Sequence, residues 1–133
     1  MTASLYNPRQ YHTQQLHYLR RNIAYTDNGL TLDVGVIPAG SLIVKPCSGV
    51  CVHTAFDGNA TNTLDIGPST DSGTDLWGTL LDLSTIDAMV PLDEAVTMKV
   101  TVDTIVQCKV VATASATAGS GVVIICYIPD NDR

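Results

Sequence analysis

Residues 96–128 read VTMKVTVDTIVQCKVVATASATAGSGVVIICYI, and the fold is decided here. Val96, Met98, Val100 and Val102 alternate with Thr97, Lys99, Thr101 and Asp103, the period of two expected of a half-buried strand. Residues 105–112 continue the pattern, with Val106, Cys108, Val110 and Ala112 on one face and Gln107 and Lys109 on the other. Residues 113–120 are small and polar, as in a loop or hairpin end. The final run, VVIICYI at 122–128, is apolar on both faces. Such a run fits a central strand covered from both sides.

Upstream the same grammar repeats. Short β runs at 31–36, 41–45, 49–56, 63–66 and 76–83 are punctuated by Ile37-Pro38-Ala39-Gly40, Pro46, Asp57-Gly58-Asn59, Gly67-Pro68 and a polar stretch at 69–75. Roughly eight strands separated by turn signals, with no long helical pattern, predict an all-β domain. A β-sandwich of jelly-roll type is the expected architecture. The strand order is not readable from sequence.

The first 28 residues are a different object, and an N-terminal arm (1–28) is set apart from the sandwich (29–133). The first 25 residues contain Arg9, Arg20 and Arg21 but no Asp or Glu. They also contain Tyr6, Tyr11, Tyr18 and Tyr25, leaving only Tyr127 outside the leader. Leu16, Leu19 and Ile23 recur at three- and four-residue spacing, which suggests a brief helix over 14–22. Alone, a helix that short is marginal, so the arm is expected to order only against another surface. Tyr and Arg are the residues enriched at protein interfaces. Tyr6, Arg9, Tyr11, Tyr18, Arg20 and Arg21 are therefore the candidate partner-binding residues. Removing residues 1–25 should leave the body folded and abolish binding.

The chain has 133 residues, enough for one core and not two. Only 15% of residues are charged, leaving uncharged surface of the kind found in interfaces. A net charge of -6 argues against direct nucleic-acid binding, which needs clustered Lys and Arg. No apolar run approaches the roughly 20 residues that span a bilayer, so no membrane association is expected. The first residues lack an apolar signal core, which points to synthesis in a reducing cytosol. Cys47, Cys51, Cys108 and Cys126 are then expected to be free thiols serving as small buried hydrophobes.

Chemistry finds little support. Cys47, Cys51, His53 and Asp57 could suggest a metal, but Cys51 and His53 on one strand face project in parallel and no second pair completes a tetrahedral set. A thiol nucleophile, Cys51 or Cys108 with His53, has no helix N-terminus or cationic cluster to lower its pKa. Ser48-Gly49 and Gly119-Ser120-Gly121 lack the setting of a nucleophile elbow, and the latter is not a phosphate loop. The acidic turns at 57–59 and 71–75 miss the twelve-residue calcium pattern. No catalytic residue, cofactor or metal site is expected. Trp77, the single tryptophan, could stack on a sugar; an interface anchor is the preferred reading.

A resemblance joins these observations. Three stretches, IPAGSLI at 37–43, HTAFDG at 53–58 and TLDIG at 63–67, the last followed by PSTDSGTD, resemble in order a pattern of small virion proteins of tailed double-stranded DNA phages. The similarity covers about residues 30–83. It implies a capsid decoration (cement) protein or a related head or tail component, commonly a jelly roll that forms homotrimers. On that resemblance the partner would be the major capsid protein and the location the capsid surface of the virion. The alternative is a receptor- or glycan-binding module of a head or tail fibre, motivated by Trp77 and the acidic loops.

Overall fold

A computed structural model describes residues 15–86, 89–113 and 115–130. Among the described residues nine strands follow one another: β1 His17–Ala24, β2 Thr31–Ile37, β3 Leu42–Ile43, β4 Gly49–Thr54, β5 Asn62–Pro68, β6 Gly78–Asp82, β7 Met89–Pro91, β8 Thr104–Ala112 and β9 Ser120–Ile128. They form two antiparallel sheets. The first has the order β1-β9-β4-β7, with β3 also paired to β9; the second has the order β2-β8-β5-β6. The pairing is nested: β1 with β9, β2 with β8, β4 with β7, β5 with β6. A long hairpin ribbon folded back over itself gives this order, which is jelly-roll-like as expected from the sequence.

β3 and β4 act as one interrupted strand. Pro46 lies in a 3-10 turn, Lys45–Cys47, where it breaks the ladder because it has no N–H to donate. Ser48, fully buried, spans the break: its Oγ donates to the Val44 carbonyl at 2.8 Å and accepts from the Cys126 N–H at 2.9 Å.

The core lies between the sheets. In β8 the inward residues Val106, Cys108, Val110 and Ala112 are buried while Gln107 and Lys109 are half-buried, as alternation predicts. In β9 the inward residues are Val123, Ile125 and Tyr127, beside Val50 and Val52 of the same sheet and in one apolar cluster with Leu64 and Ile66 of the second. Each fully buried Val, Ile or Leu contributes about 1.5–3 kcal/mol relative to exposure.

Four expectations are corrected. The period-two segment 96–103 is not a strand: it bends, burying Val100 but leaving Met98 74% and Val102 66% exposed. Its neighbour β3 offers only two residues of ladder, so pairing ends at one bridge, Leu42 to Lys99, with Ile43 N–H donating to the Met98 carbonyl at 2.8 Å. The helix suggested over 14–22 is instead β1, paired with β9 from His17↔Tyr127 to Ala24↔Ser120. A short helix recovers few hydrogen bonds for its nucleation cost, whereas β9 supplies a full ladder. Composition draws the arm's boundary at 28, but the sandwich already begins at His17. Ile23 is 2% exposed in the core, and a Cβ added to Gly35 of β2 would lie 2.8 Å from Leu19 Cδ2. Fourth, Cys47 is exposed and Cys51 half-buried; only Cys108 and Cys126 are buried, and all four are free.

Candidate interaction surface

Alternation divides the leader's strand between two environments. Leu19 and Ile23 point inward. Tyr18 and Arg20 point outward, opposite Cys126 and Ile124 of β9, and both are exposed. Arg21 reaches sideways to β2, its Nη1 donating to the Asp33 carbonyl at 3.4 Å. Of the six residues nominated in the leader, the structure thus brings Tyr18 and Arg20 onto one surface and places Arg21 at its side. Tyr6, Arg9 and Tyr11 lie outside the described residues.

That surface is the outer face of the first sheet. Its middle is the outward half of β9, Val122, Ile124, Cys126 and Ile128. Val122 and Cys126 are buried yet stand outside the core cluster; neighbouring strands shield them, with Asn22 and Cys51 opposite Val122 and Tyr18 opposite Cys126. Around them Tyr18 (63%), Ile128 (42%), Leu42 (41%) and Met89 (39%) remain exposed. Leu42 pairs with Ile128 and Met89 with Cys51, so these side chains adjoin. The turn carrying Lys45 and Cys47 lies beside them, with Cys126 Sγ donating to the Cys47 carbonyl at 3.3 Å. Among the described residues, Arg20, Lys45 and Lys99, the last paired with Leu42, are the cations here; no Asp or Glu lies on these strands' outward positions, and Asp130 follows two residues after Ile128, beside Gly40.

The outer face of the second sheet differs. Asp33 stands opposite Gln107, whose Nε2 donates to Asp33 Oδ1 at 2.8 Å. Asp65 stands opposite Lys109, and Asp82 opposite Thr63. Leu80 is exposed beside Asp65, its N–H donating to Asp65 Oδ1 at 2.8 Å, while exposed Ile105 stands opposite exposed Val36 at one end of the face.

Trp77 is a core residue, 1% exposed. Its indole cannot stack on a sugar, nor bury further against a partner, because almost none of it reaches the surface. Its edge backs an open depression of about 410 Å³ lined also by Leu76, Val100, Val102 and Ile105. The acidic turns hold their own backbone. Asp57 accepts from Thr117 Oγ1 and N at 2.7 Å and from Ala118 N at 2.9 Å. Asp71 accepts from Asp75 N at 2.8 Å and Leu76 N at 2.9 Å. These bonds hold both carboxyls below their ordinary range, led by the Thr117 hydroxyl for Asp57 and the Asp75 N–H for Asp71. Burial pushes the Cys108 thiol up to about 12, so it is not a thiolate at neutral pH. Among the described residues no three His, Cys, Asp or Glu side chains gather as a metal site.

Sequence reasoning found Tyr18 and Arg20 through the leader's composition. It missed Leu42, Met89 and Ile128 as surface, because an isolated apolar residue in a β run reads as core. The available signal was VVIICYI, apolar on both faces. β9 is the central strand expected, but in this two-sheet sandwich its outward face has no second layer over it among the described residues, which corrects the expectation of cover on both sides.

No protein-family model and no curated protein matches the chain. Two solved structures share its fold. One is a chain of the cyanophage Pam1 capsid asymmetric unit, 20% identical with a TM-score of 0.63, the match covering 87% of this chain and 86% of that one. The other is a chain of the acid-stable capsid of Helicobacter pylori bacteriophage KHP30, 16% identical with a TM-score of 0.63, covering 90% and 92%. At these identities the likeness is one of fold, extending over nearly the whole of each chain.

Proposed function

We propose that the chain is a non-enzymatic structural protein of a phage virion, and within the virion a decoration protein that binds and stabilises the shell built by the major capsid protein. The observation that carries this reading is the end-to-end likeness in fold to chains of two phage capsid structures. The jelly-roll order and an apolar sheet face agree with it. A decoration protein needs a rigid body and a contact surface rather than an active site. A homotrimer on the capsid surface, made in the host cytoplasm, is the form proposed. Assembly around an axis would also shield strand edges that otherwise invite aggregation. The glycan-binding alternative loses its platform with Trp77 buried.

The test adds purified protein to shells from a virus lacking this gene. Co-sedimentation and a higher temperature of DNA release are expected. The absence of both effects at saturating protein would end the reading.

A further inference from the structure

Shell binding requires a surface, and one face of the sandwich is composed for burial. Resting on that reading, we propose that the outer face of the first sheet is the docking face, and that its partner is an apolar surface rimmed by carboxylates on a shell subunit.

Composition comes first. Thirteen of the chain's residues are Asp or Glu and seven are Lys or Arg. On a surface where acids outnumber bases, the outward positions of β1, β3, β4, β7 and β9 carry Arg20 and no described acid, with Lys45 and Lys99 alongside and Asp130 just past the end of β9. Between these cations lies the apolar stripe of Ile124 and Ile128, widened by Tyr18, Leu42 and Met89. An aromatic, an arginine and adjoining aliphatics are the residues that anchor protein interfaces.

Charge also narrows the occupant. A second copy docking the same face against its own would bring Arg20 and Lys45 toward like charges across a two-fold axis. A second copy offering its acidic face would meet the charge requirement. However, these faces are opposite sides of a two-sheet sandwich, and repeating such a contact stacks copies into an open filament rather than a closed ring. The leader, residues 1–14, has no Asp or Glu and cannot pair Arg20 or Lys45. Three cations, Arg20, Lys45 and Lys99, are too few for a salt-resistant grip on nucleic acid. A different subunit with Asp or Glu around an apolar patch satisfies both the stripe and its charges, the pattern of electrostatic complementarity that sets register and excludes wrong partners.

The full chain and the double variant Tyr18→Asp/Arg20→Glu are compared for co-sedimentation with shells lacking this protein. Thr31→Asp, an exposed change on the second sheet, is the control. All are first checked for unchanged circular dichroism and melting. The double variant is expected to bind at least about tenfold more weakly, and the control to bind like the unaltered chain. Maleimide labelling gives a second readout that needs no substitution: Cys47 and Cys51, at this face, should react in the free protein and slow markedly on the shell. Equal binding by the double variant, or unchanged labelling of both thiols on the shell, overturns this proposal while leaving shell binding intact. Loss of self-association by the double variant in sedimentation, with shell binding retained, overturns it in favour of a second copy. Failure of the unaltered chain to bind shells sinks the decoration reading and this proposal with it.

Discussion

The two outer faces of the sandwich share one backbone geometry and have opposite chemistry. On the second sheet, strand alternation ends in Asp33, Gln107, Lys109, Asp65 and Asp82, paired across the ladder with each other or with threonines. On the first, the same alternation ends in Tyr18, Ile124, Ile128, Leu42 and Met89. A sheet that faces water on one side normally alternates apolar with polar. The second sheet follows that rule over its middle, apart from exposed Leu80 and the Val36–Ile105 pair at one end; the first departs from it along the length of β9. The difference locates the surface that gains most from being covered.

The largest expected effect comes from removing the strand that builds one flank of the apolar face. Deleting residues 1–25 takes away β1, whose Ile23 is in the core and whose ladder closes one side of β9. The truncated protein should lose its cooperative urea transition or aggregate. A well-folded monomer would show that β1 is an arm after all and that the face ends at β9. Next in size is a pair of matched charges. Val122→Asp places a carboxylate at a 6% exposed outward position of the first sheet. It should cost about 3 kcal/mol or more, as buried unpaired charges do. Val111→Asp, at a half-buried outward position of β8 opposite Thr63, should cost about 1 kcal/mol. Urea melts of both variants measure the gap; equal costs would show that the two faces do not differ in how they exclude water.

Much of this was legible. The runs that became β2, β4, β5, β8 and β9 show in the sequence because turn residues bound them and alternation fixes their faces. β1 was not, for an arithmetical reason: Leu19 and Ile23 are four apart, a spacing that serves one face of a helix and one face of a strand alike. Leu16, three residues before Leu19, decides between them. It falls on the other parity and is 53% exposed, as a strand requires and an amphipathic helix does not. Residues 96–103 and 105–112 carry the same alternation with different outcomes. β8 has β2 and β5 on its two sides, while the earlier segment has only the two residues of β3. Pattern specifies which face a strand would bury; a neighbour's length decides whether it forms. The docking face was half visible, through Tyr18, Arg20 and the doubly apolar β9. The rest needed the register that sets Leu42 beside Ile128 and Met89 beside Cys51.

The smallest effect separates the acids from the apolar face. Asp57, Asp71 and Asp82 all have carboxyls lowered in the folded state by hydrogen bonds, led for Asp82 by the Ser84 hydroxyl. A lowered folded pKa means the unfolded chain binds more protons through the window, so stability rises with pH there. The contribution is fully present above the unfolded value of about 3.9. It is lost as pH falls below that and through the folded values. The melting temperature should therefore decline as pH drops below about 4, and Asp57→Asn should make the decline shallower by removing one of the titrating groups. None of these acids belongs to the first sheet's outward positions. Shell binding in the same buffers should instead weaken only as the partner's carboxylates protonate and release Arg20 and Lys45. If Asp57→Asn shifted the pH profile of binding while leaving that of melting unchanged, the acidic loops rather than the apolar sheet would be in contact with the shell.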